Sequence, residues 1–449
     1  MSSLAHTTSD GGPAALADLD DAELSRTHWR WAGIAALGDY LDAGSIVAGG
    51  AALPLWTAYL HFGSTTVNLI AAFGSNGIST GIGALVAGRL GDKFGRKFIF
   101  SWDLLLYALG ALIVAVGVNG PMVIAGYMLL GLAVGIDVPT SWSLIAEFSP
   151  RKHRGRLMGL TNVAWYVGPI VILLLALAFH PLGLLGGRLL FVSLLVVGLV
   201  TYALRKFLTE SPRWTQQAAA AKAALAAADA PDGATPAAGP AEPVPVGYRG
   251  LFQRKYLRRL GFIMPIYLAW GIPAGTYGFF EPTLFKTIGA HSLATSDALD
   301  ILWFGSAIVA VLVVFMPLND RVDRRILYAI SAALCGAGFF LLVWAPIDNI
   351  WVAVGNILLF GFGQGVGLWP LQRVWSVELF PTSLRNTGQG FLWSVMRISL
   401  GIWSFYLADV TGAIGFSSVA LIMALLFTFN LVVGGIFGPA TGSKSLEEI

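Results

Sequence analysis

Twelve stretches of about twenty mainly apolar residues run through this chain. Six lie near residues 33–60, 66–88, 99–118, 121–146, 156–179 and 187–208, and six near 260–284, 299–318, 326–345, 350–377, 387–409 and 413–438. Each is long enough, as a helix, to cross the ~30 Å hydrocarbon core of a bilayer. Hydrocarbon offers the backbone no hydrogen-bond partners, so such runs must satisfy themselves as helices. With 56% hydrophobic and 12% charged residues and a mean hydropathy of +0.72, the composition lies well outside the soluble globular average. The expected fold class is an all-α membrane protein with twelve transmembrane helices.

Two landmarks repeat together. The segment GRLGDKFGRK (residues 88–97) recurs in weaker form as PLNDRVDRRI (317–326), and each copy precedes an E-x-x-P-x-x-x-R element: Glu147, Pro150 and Arg154, then Glu378, Pro381 and Arg385. Asp92 and Glu147 are 55 residues apart, and Asp320 and Glu378 are 58 apart. The chain therefore reads as a duplicated unit with two pseudo-symmetric six-helix bundles. The expected parts are an N-terminal segment 1–28, a bundle 29–208, a loop and linker 209–257, a second bundle 258–438 and a tail 439–449.

Lys and Arg accumulate in cytoplasmic loops. All 28 except Arg188, Lys286, Arg373 and Arg397 fall in the N-terminal segment, the even-to-odd loops or the tail, or within a few residues of them, so both termini are expected to be cytoplasmic. Residues 1–28 carry Asp10, Asp18, Asp20, Asp21 and Glu23 instead of a basic n-region, so no cleaved signal peptide is expected. Cys335 is alone, which makes it a small apolar packing residue rather than half of a disulfide. Between the halves an Ala-rich stretch, residues 216–230, predicts a short helix, and the Pro-rich stretch 231–247 a linker with no core of its own. The pI near 8.9 reflects the loops, and no zinc spacing or nucleic-acid platform accompanies it.

Five ordered motifs resemble the major facilitator superfamily, and within it the sugar porters and their organic-ion relatives, including aromatic-acid and phosphate carriers. GRLGDKFGRK is similar to the loop 2–3 signature; AEFSPRKHRGR and ELFPTSLRNTG resemble the loop 4–5 and 10–11 signatures. ESPRW (210–214) resembles the segment after helix six, and FFEPTLFKTIGA (279–290) the end of helix seven. The resemblance implies a secondary transporter working by alternating access in a bacterial inner membrane. It also implies a small-molecule substrate, a monomer, and no cofactor, metal or nucleic acid.

Asp92 with Arg96, Glu147 with Arg154 and Glu210 with Arg213 can form a network between the cytoplasmic helix ends. Asp320, Arg324, Glu378 and Arg385 are the counterparts in the second half. Formed in one access state alone, such a network biases the rocking equilibrium. The alternative is topogenic charge in solvated pairs worth ~0–1 kcal/mol each.

An ionisable group inside the membrane costs at least ~2.5–3.5 kcal/mol, so it marks function. Asp39 and Asp42 lie three apart on one face of span one, Asp137 lies in span four, and Arg373 and Arg397 lie in spans ten and eleven. The sequence around Asp42 resembles the sugar porters' helix-one motif, whose Asp is implicated in proton coupling, so Asp42, with Asp39 and Asp137, is the expected proton carrier. Asp42 held permanently ionised by an Arg is the other reading.

The family's helix-four Arg is replaced by Tyr127, its helix-seven Gln pair by Ala269 and Trp270, and its helix-seven Asn by Gly275. Asn162 stands for a helix-five Gln. Two cavity aromatics have become Arg373 and Arg397. An Arg fork suits a carboxylate or sulfonate. The expected substrate is therefore an organic anion held by Arg373 and Arg397, with Asn162, Trp165, Trp270, Trp369 and Tyr127 completing the site. The alternatives are internal pairing of those Arg residues with Asp39, Asp42 or Asp137, and a neutral sugar or polyol as substrate. No hydrolase, metalloprotease or P-loop pattern is present, which speaks against an enzyme. A non-transporting sensor is the competing class.

Overall fold

The computed structural model describes residues 19–74, 77–228, 247–287, 293–346, 348–442, 444 and 446, and these form helices with no strand among them. Most of the Pro-rich linker and of the first eighteen residues' expected segment lie outside the described residues. The membrane helices are α1 (Arg26–Leu60), α2 (Ser64–Phe94), α3 (Arg96–Ala115), α4 (Gly120–Phe148), α5 (Arg154–Leu182) and α6 (Leu184–Arg205), followed by α7 (Arg254–Thr287), α8 (Thr295–Leu318), α9 (Arg324–Trp344), α10 (Ile350–Glu378), α11 (Thr382–Ile414) and α12 (Phe416–Phe437). Among the described residues eleven are apolar enough to qualify as spans by length and hydropathy. α7 is 34 residues long and falls short because Arg258, Arg259 and a run of Gly, Pro, Tyr and Trp dilute it. Between the halves a helix at Pro212–Ala228 matches the expected Ala-rich one.

Local chemistry sets the boundaries. Ser25 and His28 form a capping box that starts α1 well before the expected residue 33. The side chain of Asn119 accepts Met122 N at 3.0 Å and caps α4. Gly95, at φ +97°, makes the sharp join between α2 and α3 that a side chain would strain. Two expected continuous spans are interrupted. α2 consists of Ser64–Phe73 and Ile78–Phe94, and α10 contains a π-helical turn at Gln364–Leu368 where Gly367 leaves helical geometry.

The duplication survives in the packing. Within the first half α1 packs on α5 and α6, α3 on α4 and α6, and α2 on α4; the second half repeats the same pairs among α7 to α12. The halves meet through α2 against α11 and α5 against α8, which the repeat interchanges. The α2/α11 contact is made of bare backbone: a Cβ on Gly390 would collide with Ala84 O, and one on Gly88 would sit 2.9 Å from Asn386 O.

Candidate functional site

At the end of the bundle that carries the Arg-rich loops, the two repeated motifs build mirror-image ion networks. Arg96 pairs with Asp92 at 3.0 Å and with Glu147 at 2.9 Å, and Glu147 also receives Arg385 of the other half at 2.9 Å. In the counterpart Arg324 pairs with Asp320 at 3.6 Å and with Glu378 at 2.7 Å, and Glu378 receives Arg154 from the first half at 3.0 Å. Asp92 also accepts the backbone N–H groups of Asn386 and Thr387 in the first turns of α11, at 3.2 and 2.8 Å. Each Glu thus holds its own half's motif Arg and the opposite half's Arg. Burial pushes the Asp320 carboxyl, which lies beyond α8, above the usual carboxylate range, and Arg324 works against that shift.

Two expected members act differently. Glu210 accepts the N–H groups of Arg96 and Lys97 at 3.1 and 3.0 Å and so caps α3, while Arg213 pairs with Asp20 of the N-terminal segment at 2.6 Å.

A cavity of about 140 Å³ lies between the halves, lined from α1, α5, α7, α8, α10 and α11. The lining includes Trp165, Trp270, Trp303, Trp369, Trp393 and Arg397, together with Asp300 and Gln364. Trp270 stacks on Trp369 with centroids 3.7 Å apart, and Trp369 on Trp393 at 5.5 Å. The π-helical turn of α10 brings Gln364 into the lining, where its Oε1 accepts Trp270 Nε1 at 2.8 Å.

Arg373 and Arg397 are held by carboxylates of the other half. Arg397 Nη2 donates to Asp42 Oδ2 at 3.0 Å, which also accepts Trp165 Nε1 at 3.1 Å. Arg373 Nη1 donates to Asp39 Oδ1 at 2.7 Å and to Thr161 Oγ1 at 2.8 Å, with its guanidinium sandwiched 4.3 Å from both Trp142 and Trp369. Internal pairing, the alternative reading for these cations, describes this geometry.

Three expected binding residues lie away from the lining. Arg373 is fully buried behind Trp369 because Asp39 and the indole faces hold it there. Tyr127 packs against Trp56 and Phe191 inside the first half and donates to Ser45 O at 3.2 Å. Asn162 turns its amide N–H back to Met158 O at 3.3 Å. Asp137 does not reach either cavity Arg: it pairs with Arg205 at 2.8 Å, and Arg205 also holds Asp103 at 3.2 Å. Asp103 and Arg205 escaped notice although Asp103 falls inside the apolar run 99–118; its closeness to the basic loop disguised it. Trp142, Trp303 and Gln364 carried no sequence signal, since buried Trp and Gln are common packing residues.

Residues 39–449 match the model of the family described as sugar (and other) transporter. The chain is 37% identical over 415 residues to the minor myo-inositol transporter IolF of Bacillus subtilis, covering 92% of each chain. Among solved structures, a double-Trp mutant of XylE superposes with a TM-score of 0.79 at 18% identity, covering 94% of this chain and 98% of that one. The proton:xylose symporter XylE bound to 6-bromo-6-deoxy-D-glucose gives 0.77 at 16% identity over the same shares. The multi-pass helical bundle, the duplicated loop motifs and these matches agree: the chain belongs to the sugar porter family of the major facilitator superfamily, a membrane transporter and not an enzyme.

Proposed function

We propose that this chain takes up a neutral polyol of the inositol class by alternating access, coupled to protons. The observation that carries the reading is the charge state of the cavity. Among the described residues its lining guanidinium is Arg397, which is already matched by Asp42, and Asp300 adds a further carboxyl to the wall. An anion entering there would have to displace Asp42 from Arg397 and lie near Asp300. Hydroxyl groups meet no such penalty. The indole N–H groups of Trp303, Trp369 and Trp393 are buried without a partner, so they can donate to hydroxyl oxygens while the stacked rings face the C–H surface of a polyol ring. Against the organic-anion expectation stands the internal pairing of both guanidinium groups, Arg373 with Asp39 and Arg397 with Asp42. Support from outside the cavity comes from the IolF relative, named as a myo-inositol transporter.

Ion networks tie the halves together at the basic end, so the cavity would fill from the opposite face in this state, the cytoplasmic side being closed. The test is uptake of labelled myo-inositol into proteoliposomes under an inward proton gradient, with unlabelled competitors. Polyols and neutral sugars are expected to compete. Competition by carboxylates or sulfonates and not by polyols would restore the anion reading.

A further inference from the structure

Inside the membrane, Asp39 and Asp42 each have a guanidinium of their own, while in the interior of the first half two carboxyl groups share one. Asp39 has Arg373 and Asp42 has Arg397. In the interior of the first half, however, Asp103 of α3 and Asp137 of α4 share the single guanidinium of Arg205 at the end of α6. Arg205 Nη1 reaches both oxygens of Asp103 at 3.2 and 3.3 Å, and Nη2 both oxygens of Asp137 at 2.9 and 2.8 Å. All three side chains are buried, and Phe100 closes the cluster with its ring 3.4 Å from the guanidinium carbon. Two carboxyl groups therefore face a single cation, and with both ionised the cluster carries one negative charge in excess.

Resting on the proton-coupled reading above, we propose that the Asp103/Asp137 pair on Arg205 holds the exchangeable proton of transport. Loading forms an O–H bond on one carboxyl and brings the cluster to net neutrality with Arg205. Release breaks that bond and leaves one negative charge in excess, which a buried site tolerates poorly. The charged groups around the pair are Asp39 and Asp42 on α1, with Arg373 beyond Asp39, besides Arg205 itself.

Two features connect the cluster to its surroundings. Asp103 lines an apolar groove of about 320 Å³ with Val86, Leu90, Phe98, Trp102 and Leu106, apart from the substrate cavity. On the other side α1 rests directly on the cluster at Gly38: a Cβ there would collide with Asp137 Oδ2 and lie 2.8 Å from Arg205 Nη2. The next residue is Asp39, which holds Arg373 of the opposite half. A change in charge or spacing at Asp137 is therefore transmitted within one residue to a contact that joins the halves.

The experiment uses purified protein in proteoliposomes with myo-inositol as the probe and a lumenal pH dye. Wild type is expected to take up protons with the polyol and to accumulate it. Asp103→Asn and Asp137→Asn each mimic the loaded state, so counterflow exchange should stay within a few fold of wild type while proton influx and accumulation are lost. Both variants should fold, since each leaves one carboxylate for Arg205. Infrared difference spectra between acid and alkaline pH should show a carboxylic-acid carbonyl band in wild type that disappears in Asp103→Asn or Asp137→Asn. Proton influx that survives both changes overturns the proposal alone, as does an infrared band unchanged in both, or uncoupling confined to Asp42→Asn. Absence of substrate-driven proton influx in wild type sinks the coupled-uptake reading and the proposal with it.

Discussion

Arg385 Nη1 in the second half lies 2.9 Å from Glu147 Oε1 in the first, and the same oxygen accepts Arg96 Nη2 at 2.9 Å. Glu147 is therefore one of the points at which the two halves share a buried charge, Glu378 being its counterpart.

Glu147→Gln removes that charge and leaves two guanidinium groups facing each other. Losing one partner of a buried pair typically costs about 3–5 kcal/mol, enough to move a two-state population by two orders of magnitude or more. The loss falls on the state in which the basic end is closed. Cysteines introduced at the basic ends of α2 and α11 should become reactive to a thiol reagent in the variant and stay protected in wild type. Buried Cys335 adds little background. Unchanged protection would mean that the network does not set the access equilibrium.

The Asp42/Arg397 pair should behave as a unit. Arg397→Ala leaves Asp42 buried without its cation, and a drop in unfolding temperature of several degrees is expected from a loss of about 3–5 kcal/mol. Combining it with Asp42→Asn should recover most of that loss. A double variant as unstable as the sum of the singles would show that the two residues act independently.

Trp369→Phe keeps an aromatic ring against Trp270 and removes the indole N–H. If that N–H binds a hydroxyl, myo-inositol affinity should fall by roughly fivefold, in line with ~1 kcal/mol for a neutral hydrogen bond. Trp369→Ala should cost more, because the stack with Trp270 and Trp393 is lost as well. Thermal-shift titration with myo-inositol measures both. Equal affinity of wild type and Trp369→Phe would remove this residue from the site.

Asp320 supplies a pH signature outside the membrane spans. Burial raises its folded-state pKa above the unfolded value, so it takes up a proton on folding in the window between the two. Its contribution to stability is fully present below the ordinary Asp range and declines as pH rises through the raised value. Asp320→Asn should flatten the slope of unfolding temperature against pH in that window and should not lower stability at neutral pH. A steeper slope in the variant would mean that the attraction of Arg324 outweighs burial.

The sequence alone determined the bilayer as solvent, twelve spans in two repeated sets, and the loop motifs that meet at the basic end. These properties are local or periodic: a run of twenty apolar residues has one way to satisfy its backbone in hydrocarbon, and the Gly95 turn is a matter of a single φ angle. Asp39 and Asp42 could be placed on one helix face for the same reason. Which cation each would meet was a tertiary question, because Arg373 and Arg397 stand more than three hundred residues away on two other helices. The tertiary fold decided it by bringing Asp39 to Arg373 and Asp42 to Arg397 across the interface between the halves. The same holds for Arg205, three helices converging on one guanidinium. In sequence it is a basic residue at a helix end like many others; in the fold it sits 2.8 Å from Asp137 and 3.2 Å from Asp103, because α3, α4 and α6 pack together around it.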